Sequence, residues 1–142
     1  MKSLTKARIT NEQLQMLCKH DFKREMKSAT ELNDGYYNIS YLIVLENGKE
    51  MVLKIAPPAE VDILTYEKDI MEAEVRFYQL TESLTDIPIP HVIHWDFSGS
   101  VIPYPYYYMT KIDGVTANKV EEISEKKRRE IYIQLAKIMA KI

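Results

Sequence analysis

The dipeptide Asn47-Gly48, set between the two apolar runs of ISYLIVLENGKEMVLKIAPP, constrains this chain more than any other feature. Asn-Gly takes the positive-φ backbone of a tight hairpin turn at little cost, so the flanking runs become antiparallel neighbours. Taking Asn47 and Gly48 as a two-residue loop pairs Glu46 with Lys49, Val44 with Met51, Ile43 with Val52 and Tyr41 with Lys54. Alternation then gathers Ile43, Val52, Tyr41 and Lys54 on one face, and Leu42, Leu53, Val44 and Met51 on the other. Both faces are apolar, so each needs a cover.

Helical periodicity supplies candidates for those covers. After an N-cap at Thr10 or Asn11, NEQLQMLCKHDF places Leu14, Leu17 and Cys18 on one side of a short helix. A second helix runs from about Thr65 to Leu84, with Tyr66, Ile70, Ala73, Phe77, Leu80 and Leu84 as its apolar stripe. IPIPHVIHWDF and VIPYPYYYMTKI read as two further strands joined through Ser98-Gly99-Ser100, and Trp95 is expected in the core. The last segment, SEKKRREIYIQLAKIMAKI, is a capped helix with Ile131, Leu135, Ile138 and Ile142 in line.

At 142 residues and 46% hydrophobic content the chain suits one ordinary domain. A net charge of -2 gives no basic surface for nucleic acid, and no apolar stretch is long enough for a membrane span. A cytoplasmic protein is expected. The lone Cys18 can form no internal disulfide and reads as a small buried apolar residue. His91 and His94, three apart in a strand, fall on opposite faces, so with His20 they make no metal set. The tyrosine run 104–108 suits a core strand better than a base-stacking platform, since no basic groove accompanies it.

Lys54 is the residue that asks for chemistry. An ammonium on an apolar sheet face requires either a path to water or a partner. At about 100° per residue, Glu74 lies about 80° from the centre of its helix's apolar stripe, whereas Glu72 lies about 120° away. Glu74 can therefore turn toward the sheet.

A strand lysine, then a helical glutamate, then an extended strand ending in a polar hinge is the order of a kinase front lobe. Four segments, LNDGYYNISYLIV, MVLKI, EAEVRFYQL followed by IPIPHVIHWD, and YYYMTKIDGV, make the chain resemble the aminoglycoside phosphotransferase family over roughly residues 30 to 118. That family belongs to the protein-kinase-like group with choline and homoserine kinases. The resemblance implies an α+β fold: a twisted antiparallel sheet of about five strands with a packed helix, an N-terminal helix and a C-terminal amphipathic helix. It implies a nucleotide-binding lobe over 1–115, and over 116–142 a linker with the first helix of a C-terminal lobe. Its cofactor would be ATP, with Mg2+ expected only alongside that second lobe.

By the same resemblance Lys54 contacts the phosphates and Glu74 is its ion-pair partner. Gly35 and Asn38 shape the loop over the phosphates. Val52 and Ile43 roof the adenine, Met109 stands behind it, and the Thr110 carbonyl and Ile112 amide meet its edge. The implied activity is phosphoryl transfer from ATP to a hydroxyl of a small molecule. The carboxylates that accept the proton and hold magnesium are not in the sequence, so the isolated chain is expected to be inactive. A competing expectation is a non-catalytic nucleotide-binding or interaction module acting through the 124–142 helix. Without a second lobe to cover it, that helix's apolar stripe is expected to self-associate, giving a homodimer through the 124–142 helix, or to find another cover.

Overall fold

Thr10 opens the first helix, α1 (Asn11–Phe22). Its hydroxyl accepts from the Gln13 N–H at 3.2 Å, while the Gln13 side chain accepts from the Thr10 N–H at 2.9 Å, a reciprocal cap of two otherwise unpaired donors. In the computed structural model, which describes residues 9–32, 38–57, 70–116 and 119–141, six further elements come after α1 and before a final helix. They are β1 (Met26–Leu32), β2 (Ile39–Leu45), β3 (Glu50–Ile55), α2 (Ile70–Leu84), β4 (Val92–Asp96) and β5 (Tyr106–Thr110), and α3 (Glu125–Met139) ends the series. The described strands form one antiparallel sheet in the order β1-β2-β3-β5-β4. This is the α+β arrangement expected. β1 escaped the sequence reading because its half-buried residues Met26, Ala29 and Leu32 are three apart, without the two-residue alternation of a strand, and Lys27, Ser28, Thr30 and Glu31 between them are exposed.

The β2–β3 hairpin differs from its sequence reading by one residue. Leu45 N–H donates to the Lys49 carbonyl and Gly48 N–H to the Leu45 carbonyl, both at 2.9 Å, leaving Glu46, Asn47 and Gly48 as a three-residue loop. Gly48 sits at φ 82°, the left-handed position that ends such a loop. The extra loop residue slides β2 against β3, so that Ile43 faces Met51, Leu42 faces Val52, Tyr41 faces Leu53 and Ser40 faces Lys54. Because side chains alternate, the slip moves Ile43 and Tyr41 to the face opposite Val52 and Lys54.

Ile43 and Tyr41 belong instead to the larger core. There Ile39, Leu45, Met51, Leu53, Ile55, Tyr106 and Tyr108 pack against Leu14, Leu17 and Cys18 of α1. The far end of α1 is fastened by Asp21, whose side chain is wholly buried. Its Oδ1 accepts from the Tyr106 hydroxyl at 3.2 Å and lies 2.8 Å from His20 Nδ1 and 3.3 Å from His94 Nε2. His91 pairs separately with Glu82, and no three His, Cys, Asp or Glu side chains among the described residues are arranged to hold a metal. Trp95 departs from expectation: on edge strand β4 it remains 44% exposed.

The other face of the sheet is covered by α2, which turns an unexpected side inward. Met71 and Val75 are buried, and Tyr78 packs beside them against Tyr107, Val92, Phe97 and Met109. Phe77, Leu80 and Leu84, members of the wider apolar stripe, are 55%, 59% and 74% exposed. The inward face lies about 150° round the helix from that stripe. Glu74 falls between the two faces, so its approach to the sheet holds in both readings.

Ser124 caps α3, accepting from the Lys127 N–H at 3.3 Å. None of the described α3 residues is buried, and Lys141 beyond its end bonds Asp86 after α2 at 2.6 Å. Among the described residues no helix is long and apolar enough to cross a membrane.

Candidate functional site

Lys54 lies in β3, one residue before the strand's end, where Ser40 of β2 and Tyr107 of β5 flank it. Its stem runs along the face that α2 covers, and its ammonium donates to Glu74 Oε1 at 2.7 Å. The two side chains are 21% and 27% exposed, so the pair is partly shielded from water yet open on one side. A pair in this setting interacts more strongly than one on an open surface, and the ammonium keeps further N–H groups for another anion. Sheet and helix thus bring together the two residues that the sequence reading nominated for chemistry.

An apolar patch of the sheet beside this pair is built by three strands. Val52 stands two residues before Lys54 on the same face, with Leu42 opposite it on β2 and Met109 opposite it on β5. Leu42 therefore occupies the place that the sequence reading gave to Ile43, which is fully buried in the α1-side core. Leu42 was missed because a two-residue turn was assumed. Leu42 and Met109 are only partly buried, which leaves apolar surface for a flat ligand.

Thr110 ends β5 and is tied to the start of β4. Its N–H donates to the His91 carbonyl and its hydroxyl accepts from the His91 N–H, each at 2.9 Å. Ile112 follows in irregular, exposed chain. Asn38 precedes β2, and its side-chain carbonyl is buried with no hydrogen-bond partner among the described residues. Gly35, the other loop residue, lies outside the described residues.

Tyr107 is the site member that sequence reasoning read only as core. It is fully buried, and the Lys54 ammonium lies 5.6 Å from its ring centroid. Burial first, and then the Glu74 charge, raise its phenol far above the usual range, so the group stays neutral. The signal that could have found it was the cross-strand pairing of β3 with β5, which no local motif announces.

These residues can hold an anion against a cation whose direction is fixed by a carboxylate, next to an apolar patch of the sheet. No curated protein matches the chain. By structure it is similar to a protein of Ralstonia eutropha JMP134, provisionally described as an aminoglycoside phosphotransferase and solved by crystallography, with a TM-score of 0.67 at 19% identity. That alignment covers 94% of this chain and 37% of the other, so the chain spans little more than a third of that protein's length. The sequence pattern of the phosphotransferase enzyme family matches residues 28–142, which take in the lysine strand and the glutamate helix. On that match the chain belongs to the phosphotransferase enzyme family.

Proposed function

We propose that this chain is the nucleotide-binding lobe of an ATP-dependent phosphotransferase that acts on a hydroxyl of a small molecule. The observation that carries the reading is the 2.7 Å bond between Lys54 and Glu74 on the sheet face that also holds Val52, Leu42 and Met109. A purine is flat and apolar on its faces, and this patch offers Val52 and Leu42 on one strand pair with Met109 beside them. A triphosphate next to it would meet the Lys54 ammonium.

The residues divide the work as follows. Glu74 limits the direction of the ammonium, so little reorganisation is needed when an anion arrives. The unbonded N–H groups of Lys54 neutralise phosphate oxygens and align them. Thr110 and Ile112 lie at the chain segment after β5, where backbone groups can meet the edge of the base. ATP supplies the transferable phosphoryl group, and magnesium belongs to the same reading. The proton acceptor and metal-holding carboxylates would come from a C-terminal lobe, of which residues 116–142 would be the linker and first helix. A cytoplasmic location is part of this reading, in keeping with the lone cysteine and ATP as donor.

The test is nucleotide binding and turnover by the full-length protein and its Lys54→Ala variant. The variant is expected to lose at least about 100-fold in kcat/KM for ATP while keeping its fold. Wild-type turnover in Lys54→Ala would overturn the reading.

A further inference from the structure

Tyr107 and Lys54 stand directly opposite each other on adjacent strands, on the face covered by α2. The tyrosine ring is fully buried, and its wall is fixed by Met71 and Val75, with the Tyr78 ring 6.5 Å away. The Lys54 ammonium lies 5.6 Å from the ring centroid while it bonds Glu74 at 2.7 Å. Two groups of different kinds therefore act on one cation, a carboxylate in front and an aromatic ring beside it.

The hydroxyl does not explain why this ring is here. It is buried and forms no well-aligned hydrogen bond among the described residues, although the Glu74 carboxylate lies near enough to interact with it and help keep it protonated. An unpaired buried phenol is a burden on stability, so the ring is the part of the side chain with a role to assign. An ammonium near an aromatic ring is attracted by its electron-rich face, and this attraction strengthens where water is scarce.

We propose that Tyr107 is a positioning residue for Lys54: its ring and the Glu74 carboxylate together hold the ammonium in the one direction that serves a nucleotide phosphate. The inference rests on the phosphotransferase reading for its functional consequence, but the contact between ring and ammonium stands apart from it. Glu74 alone would leave the four-carbon stem free to swing about the carboxylate. The ring removes that freedom from the side opposite solvent. Ordering before the ligand arrives then appears as tighter nucleotide binding.

The test uses full-length protein carrying Tyr107→Phe or Tyr107→Leu. Phenylalanine keeps the ring and sheds the unpaired hydroxyl, so this variant is expected to fold at least as well as the wild type. Its KM for ATP should stay within about twofold. Leucine removes the ring and should raise the KM for ATP about fivefold, with the KM for the acceptor unchanged. Independently of any nucleotide, NMR of the Lys54 side-chain methylenes should show ring-shifted resonances in wild type and Tyr107→Phe that move to ordinary positions in Tyr107→Leu. Lys54 resonances and ATP KM in Tyr107→Leu that match wild type would overturn the proposal. If Tyr107→Leu fails to fold, the comparison of wild type and Tyr107→Phe decides it, because unshifted Lys54 resonances in both overturn it as surely. Absence of ATP binding by the wild type would instead overturn the phosphotransferase reading, and the Lys54 resonances would then judge the contact by themselves.

Discussion

Glu74, one turn into α2, accepts from the Lys54 ammonium of β3 at 2.7 Å, twenty residues away in the chain. The bond joins the helix to the sheet beside the apolar patch of Val52, Leu42 and Met109. Its loss should be felt in activity before stability, because both groups retain some access to water. In the full-length protein Glu74→Gln is expected to lower kcat/KM for ATP about tenfold, less than Lys54→Ala, with little change in the urea midpoint. Steady-state kinetics with unfolding curves for both variants check this order.

The inward face of α2 gives a second prediction. Val75→Ala opens space against Tyr107 and should cost about 2 kcal/mol. Phe77→Ala removes a larger side chain, but one that is 55% exposed, and should cost under about 1 kcal/mol in this chain. Denaturant unfolding of the two variants would reverse this ranking if the wide stripe were the packed one.

Gly48 makes the hairpin loop a three-residue one. A Cβ at this position would meet nothing within 4 Å, so the penalty for Gly48→Ala is conformational alone, about 1 kcal/mol from φ 82°. Gly48→Asn should cost less than Gly48→Ala, since asparagine tolerates this region better. Thermal unfolding of the two variants, which leave every contact in place, measures the difference.

Cys18 is fully buried, and burial pushes its thiol up to about 11. At pH 8 both folded and unfolded thiols lie below their pKa values, so the folded chain carries the smaller thiolate fraction. Alkylation by iodoacetamide should be about 100-fold slower in the folded chain from ionisation alone, and slower still from lack of access. The rate should recover fully in denaturant, as followed by mass spectrometry.

Much of this architecture was legible in the letters, and the misses share a cause. Caps at Thr10 and Ser124, the Lys54 strand and the Glu74 helix are local signals, carried by residues a few positions apart. What failed depended on geometry between elements. Asn47-Gly48 announces a turn but not whether Glu46 joins the loop, and that one residue decides whether Ile43 or Leu42 stands beside Val52. The stripe on α2 was read as core because it is the wider one. The sheet accepts the narrower set, whose flank brings Glu74 to Lys54. The edge strand β1, whose apolar residues recur every third position, offered no strand period to read.

The alternation along β2 separates two kinds of hereditary risk. A change at Tyr41, Ile43 or Leu45 strikes the core beneath α1 and would show itself as a protein that fails to accumulate. A change at Ser40 or Leu42, its immediate neighbours in the gene, falls beside Lys54 and Val52 and, on the nucleotide-binding reading, would leave a well-made protein with altered tastes. Codons side by side would thus yield opposite phenotypes, one of abundance and one of selectivity.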